Sequence, residues 1–108
     1  MTTSDSSTTE PGAPYIGTLQ WVTGRHGNDL IVTPTTAGRT VTDQAAEAAA
    51  WNEIVRRAPT ANTVSMQRQF DCHWRYARGK QTWNLEPWRP TVSMDDVVAA
   101  YCNPGGPE

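Results

Sequence analysis

The sequence predicts an α+β domain: a small antiparallel hairpin or sheet packed on about three helices and held by one disulfide. Three observations point there. Two β-rich runs flank a turn near the N-terminus. Segments with helical apolar spacing follow, so the elements run β-β-α-α-β-α, without the β-α-β alternation of a parallel sheet. Two cysteines, Cys72 and Cys102, sit in a chain of only 108 residues.

Residues 1–14 are rich in Ser, Thr, Pro and Gly and carry no large apolar side chain after Met1, which predicts a disordered tail ahead of one globular domain over residues 15–106. The run from Tyr15 alternates, with Tyr15, Leu19 and Trp21 on one face and Ile16 and Val22 on the other. Gly24–Asp29 is dense in turn residues, and LIVTP supplies a second strand ended by Pro34, so a hairpin of residues 15–23 and 29–33 is expected. Residues 34–41 read as a loop. Thr42 is the expected N-cap of an alanine-rich helix, with Asp43 at the positive end of the dipole and Pro59 as the stop. Ala48, Trp51, Val55 and Ala58 form its core stripe, and Glu53 and Arg57 an i, i+4 pair. A second helix starts near Thr63 or Ser65, with Met66, Phe70, His73 and Ala77 in line and Gly79 as its C-terminal cap. On it Asp71 and Arg75 make another i, i+4 pair on a solvated face. KQTWNL reads as a short strand and EPWRP as an extended turn. Ser93 with Asp96 caps a last short helix.

Net charge is −2, which argues against a general nucleic-acid or anionic-membrane binder. Residues 64–90 still gather Arg68, Arg75, Arg78, Lys80 and Arg89 against Asp71 and Glu86, a local basic face. No apolar run approaches the roughly 20 residues of a membrane span. The N-terminus shows neither the basic nor the apolar region of a signal peptide, so either the protein is intracellular or the chain begins after a removed leader. An even cysteine count in a short chain favours a Cys72–Cys102 disulfide and an oxidising compartment; two free buried thiols are the alternative. No metal site or cofactor is expected: there is no C-x-x-C, no H-E-x-x-H and no glycine-rich phosphate loop.

The stretches QFDCHWRYARGK, WNLE, PWRP and CNPGG concentrate the reactive residues. His73 is a candidate general acid or base, with Lys80 or Arg89 stabilising an anion; otherwise it is a half-buried histidine held by Glu86 or a carbonyl. His26, in the hairpin turn, would complete the two-histidine layout of a metal-free phosphodiesterase, or else is a solvated turn residue. Trp83, Asn84, Trp88 and Arg89 form a candidate binding ledge in which indole rings stack on a ligand; alternatively the tryptophans pack inward and Arg89 pairs with Glu86. Asn103 orients a substrate in one reading and caps the preceding helix in the other.

These motifs resemble an actinobacterial family of small, mostly secreted proteins defined only as a domain of unknown function. The likeness covers most of residues 15–106. Its sharpest parts are Met66, Gln69, Phe70, Cys72 and His73; Lys80 and the run Trp83–Pro90; and Cys102–Gly106. The resemblance implies secretion and a paired Cys72 and Cys102. The expected function is a secreted effector or binding domain using the His73, Trp83–Arg89 and Asn103 region. The alternative is a secreted metal-free hydrolase or toxin with His73 as acid/base and Glu86, Lys80, Arg89 and His26 in support. Only that alternative brings in nucleic acid, as substrate; no other partner is specified.

Overall fold

A computed structural model describes residues 14–107. The predicted tail, residues 1–14, lies outside these apart from Pro14, which is exposed. The fold is α+β, as expected. Strand β1 (Ile16–Gly24) pairs antiparallel with β2 (Gly27–Pro34), and β2 pairs antiparallel with β3 (Trp83–Leu85). The sheet order is β1-β2-β3.

Alternation in β1 fails at its start. The register shifts between Ile16 and Thr18, so Tyr15 and Ile16 are both buried, while Trp21 is 38 % exposed rather than sharing a core face with Tyr15. Two helical residues hold this irregular edge. Glu53 accepts from the backbone N–H groups of Tyr15 and Ile16, each at 2.9 Å, and Arg57 donates to the Gly17 carbonyl at 2.8 Å. The expected Glu53–Arg57 surface pair is thus replaced by two clamps on the sheet.

The loop expected at 34–41 contains a short helix, α1 (Thr36–Thr40), capped by Thr35. Gly38 lets it approach the sheet, since a Cβ there would collide with the Tyr15 carbonyl. Helix α2 (Gln44–Arg57) is capped one residue later than expected: Asp43, not Thr42, accepts from the Ala46 N–H at 2.7 Å. The carboxylate both satisfies that donor and faces the positive end of the dipole. The buried stripe is Ala46, Ala50, Trp51 and Ile54; Ala48 is exposed, because Trp51 and Ile54 set the rotation.

A single 3-10 turn (Pro59–Ala61) leads to α3 (Val64–Tyr76), capped by Thr63. Met66, Phe70 and His73 are buried along one line, as the spacing predicts. The helix ends at Ala77, before Gly79; the Ala77 carbonyl takes the Trp83 indole N–H and the Lys80 N–H, which turns the chain without a left-handed glycine. Helix α4 (Met94–Ala99) is capped by Ser93, as expected.

Tyr15, Trp51, Phe70, Trp74 and Trp83 form the aromatic centre of the main core, with ring centroids from 5.6 to 6.3 Å apart. A second, small cluster of Cys72, Val97 and Cys102 attaches α4 to α3. Its centre is the Cys72–Cys102 disulfide, with Cα atoms 5.5 Å apart and a sequence separation of 30. Closing that loop contributes roughly 3–4 kcal/mol on the chain-entropy estimate.

Candidate functional site

The disulfide brings the end of α3, the turn after β3 and the C-terminal turn around one open cavity of about 780 Å³. His73 enters from α3. Lys80, Gln81 and Thr82 come from the loop after that helix, and Asn84, Glu86 and Arg89 from β3 and its turn. Ala100, Asn103 and Gly106 form the wall after α4. Six of the sequence candidates therefore share one cavity.

Two of them are committed to the fold. The Glu86 and Arg89 side chains are each 3 % exposed and joined through Arg89 Nε. Arg89 Nη1 also donates to the carbonyls of Pro104 and Gly106, at 2.8 and 2.7 Å, and so fixes the C-terminal turn. Its guanidinium lies 4.2 Å from the Trp88 ring centroid. Gly105 passes close beneath, at φ +94, where a Cβ would stand 2.7 Å from Pro90. Behind this turn, Gln69 acts as a surrogate peptide group: its amide donates to the Glu86 carbonyl at 3.0 Å and accepts from the Glu86 N–H at 2.8 Å.

His73 is 3 % exposed. Its Nδ1 lies 2.8 Å from the Gln69 carbonyl, which can only accept, so Nδ1 carries the proton and the neutral ring leaves Nε2 as a bare acceptor. Burial pushes the imidazole down to about 4, and the Lys80 ammonium acts in the same direction, against the Gln69 hydrogen bond. At neutral pH the ring therefore carries no proton to give from Nε2.

Lys80 is exposed, on a loop built by arginines. Arg39 donates to the Lys80 and Gln81 carbonyls, and Arg78 to those of Gly38 and Val41. Asn84 is exposed on β3, and Asn103 donates through Nδ2 to the Tyr101 carbonyl at 3.2 Å. Trp83 is wholly buried, so it belongs to the core and not to a ledge. His26 stands outside the cavity lining and packs on the Trp88 ring, centroids 4.3 Å apart. The two-histidine pair does not form; His26 is an exposed turn residue, the other reading of it, and its ring rests on Trp88.

On the α2 side of α3, Arg75 pairs with Glu47 at 3.1 Å rather than with Asp71. Asp71 is raised to about 7, first by burial and then by its hydrogen bond to, and repulsion from, Glu47. Among the described residues, no group of three or more His, Cys, Asp or Glu side chains could hold a metal ion.

Gln69, Gln81, Thr82 and Arg39 also shape the site, and no local pattern in the sequence marks them for it. Gln69 was visible in the QFxCH motif, but its role needs Glu86 beside it, 17 residues away.

A family model described as "Protein of unknown function (DUF2599)" matches residues 16–105, from the start of β1 into the C-terminal turn. The chain belongs to this family. An uncharacterized protein of Mycobacterium tuberculosis (strain H37Rv) is 42 % identical over 106 residues, covering 91 % of this chain and 72 % of the relative, and one from Mycobacterium bovis gives the same figures. An uncharacterized protein of Mycobacterium leprae is 35 % identical over 99 residues, covering 85 % of this chain and 80 % of the relative. No solved structure matches. The expected membership of an actinobacterial family of unknown function thus holds, and the span matched to DUF2599 includes His73, Lys80, Asn84 and Asn103.

Proposed function

We propose that this DUF2599 domain is an extracellular, non-catalytic ligand-binding domain, and that the cavity between α3 and the C-terminal turn is its binding site. The observation that carries the reading is the state of His73. A general acid needs a proton available near neutral pH, and a good general base a pKa close to the working pH. This imidazole, buried and held at about 4, offers neither; it offers an acceptor fixed in place by the Gln69 carbonyl. Arg89 is held by Glu86 and two carbonyls, so it supports the wall instead of meeting a developing charge. Lys80, Asn84 and Asn103 supply the polar groups that orient a ligand. The disulfide suits an oxidising compartment, and among the described residues no helix is long and apolar enough to cross a membrane.

The test is a two-dimensional amide NMR screen of the ¹⁵N-labelled protein against a library of small polar molecules, run beside hydrolysis assays on RNA and on a chromogenic phosphodiester. Shifts are expected to concentrate at Lys80, Asn84 and Asn103, with every bound compound recovered unchanged. Hydrolysis that disappears in His73→Gln would replace binding by catalysis.

A further inference from the structure

The sheet is sealed unevenly. Leu30 and Val32 on β2 are wholly buried, whereas their cross-strand partners on β1, Trp21 and Leu19, are 38 % exposed and half-buried. Paired residues share a face of the sheet, so the core is closed under β2 and runs out under β1. Trp21 also lines an open hollow of about 480 Å³ with Asn28, Thr60 and Pro87. The turn opposes Gly24 to Gly27 across two residues. The Val22–Asp29, Gln20–Ile31 and Thr18–Thr33 pairs therefore carry the ladder bonds, and the backbone groups of Leu19, Trp21 and Thr23 point outward. Among the described residues, no backbone hydrogen bond from another element reaches those three. Helix α2 covers only the start of this edge, through Glu53 at Tyr15 and Ile16 and Arg57 at Ile16 and Gly17.

An open edge is usually blunted by a charge, a proline or a bulge. Ile16–Gly24 has no charged residue and no proline, and its register shift, between Ile16 and Thr18, lies at the end that α2 covers. That composition selects the occupant. A second copy brings the same strand, antiparallel, about a two-fold axis, so a charge on it would face its own kind. An uncharged strand meets no such repulsion. The open stretch, Thr18–Thr23, can centre that axis on Gln20 or on Trp21. With the axis at Trp21, Gln20 faces Val22, Leu19 faces Thr23, and Arg25 comes opposite Gly17, where Arg57 already stands. With the axis at Gln20, Trp21 faces the partner's Leu19 and Thr18 the partner's Val22. Past the ladder, the partner's Arg25 approaches the Tyr15 end, where Glu53 stands. This register sets apolar against apolar, β-branched against β-branched and cation toward anion.

We propose that β1 pairs antiparallel with β1 of a second copy, about a two-fold axis at Gln20, joining the two three-stranded sheets into one. No residue of β1 lines the cavity between α3 and the C-terminal turn, so the pairing is independent of that site. So short a ladder falls below the roughly 1,200 Å² of a stable interface, and a dissociation constant on the order of 0.1 mM is expected.

Sedimentation velocity of the full chain from about 1 µM to about 1 mM, with amide hydrogen exchange read at both ends of that range, tests this. The protein should be a monomer at the low end and a dimer at the high end, with protection gained at the Leu19 and Trp21 amides. Gln20 is exposed and faces itself across the axis, so Gln20→Lys and Gln20→Glu should each weaken the dimer about tenfold. A one-to-one mixture of the two variants should associate at least as well as the wild type. A monomer at every concentration would overturn the pairing. Leu19 and Trp21 amides protected throughout the range would overturn it too, by giving the edge to residues 1–13 of the same chain. A dimer that both charge variants form unchanged, or that their mixture fails to restore, would overturn the axis at Gln20.

Discussion

Replacing Arg89 with alanine is expected to remove about 3–5 kcal/mol of stability, the usual cost of breaking a buried ion pair from one side. Glu86 and Arg89 are each 3 % exposed, so the carboxylate stays in a low-dielectric setting after its cation has gone. The loss extends beyond the pair. Arg89 Nη1 also satisfies the carbonyls of Pro104 and Gly106, and its guanidinium covers Trp88. The C-terminal turn is therefore released together with the charge. Arg89→Lys should recover only a minor part, because an ammonium cannot serve Glu86 and two carbonyls from one rigid fork. Adding Glu86→Gln to Arg89→Ala should restore more, since it removes the buried charge itself. Urea unfolding of the four proteins measures this. A loss below about 1 kcal/mol would place the pair among ordinary surface contacts.

The second large effect is visible only as a function of pH. The folded value of His73 lies below its ordinary 6.5, so the stability it contributes is complete above about pH 6.5 and is lost as pH falls through about 4. Asp71 behaves in the opposite way. Its folded value is raised from 3.8 to about 7, so its contribution is complete below about pH 3.8 and is lost as pH rises through about 7. Between about pH 4 and pH 6.5 one group gains what the other loses. Each alone would give a slope approaching about 1.4 kcal/mol per pH unit, or about 3 kcal/mol across the window. The two are expected to offset, leaving the wild-type protein nearly flat. Asp71→Asn should lose stability on acidification, and His73→Gln should gain it. Chemical denaturation at half-unit steps checks both. Two variants that both follow the wild-type profile would refute the opposed titrations.

Elements that rest on local chemistry were legible in the sequence. Pro34, Pro59 and Ser93 mark boundaries the structure keeps, and the Met66–Phe70–His73 spacing gave the buried side of α3 correctly. The cysteine count and the motif likeness anticipated the disulfide that assembles the cavity. Charged residues were where local reading went astray. Glu53, Arg57, Asp71 and Arg75 have plausible partners one helical turn away, yet three of them bond across the fold instead: Glu53 to Ile16 37 residues away, Arg57 to Gly17 40 away, and Arg75 to Glu47 28 away. An exposed i, i+4 pair contributes only a few tenths of a kcal/mol. A buried backbone N–H without an acceptor costs roughly 1–3 kcal/mol, so for Glu53, which accepts from two of them, the long-range bond prevails. Helix α1 was invisible for another reason: five residues with a central glycine carry no periodic signal. His26 shows the same limit, because its contact with Trp88 exists only once the hairpin turn and the PWRP turn meet.

A binding role for the cavity requires that His73 be a neutral acceptor and not an acid, and its ring nitrogens can be observed directly. Long-range ¹H–¹⁵N correlation spectra of the labelled imidazole, recorded across the pH range, give both tautomer and midpoint. The expected result is a proton on Nδ1, a bare Nε2 at neutral pH and a midpoint near 4. An imidazolium still present at pH 6.5, the ring's ordinary value, or a neutral ring carrying its proton on Nε2, would contradict it.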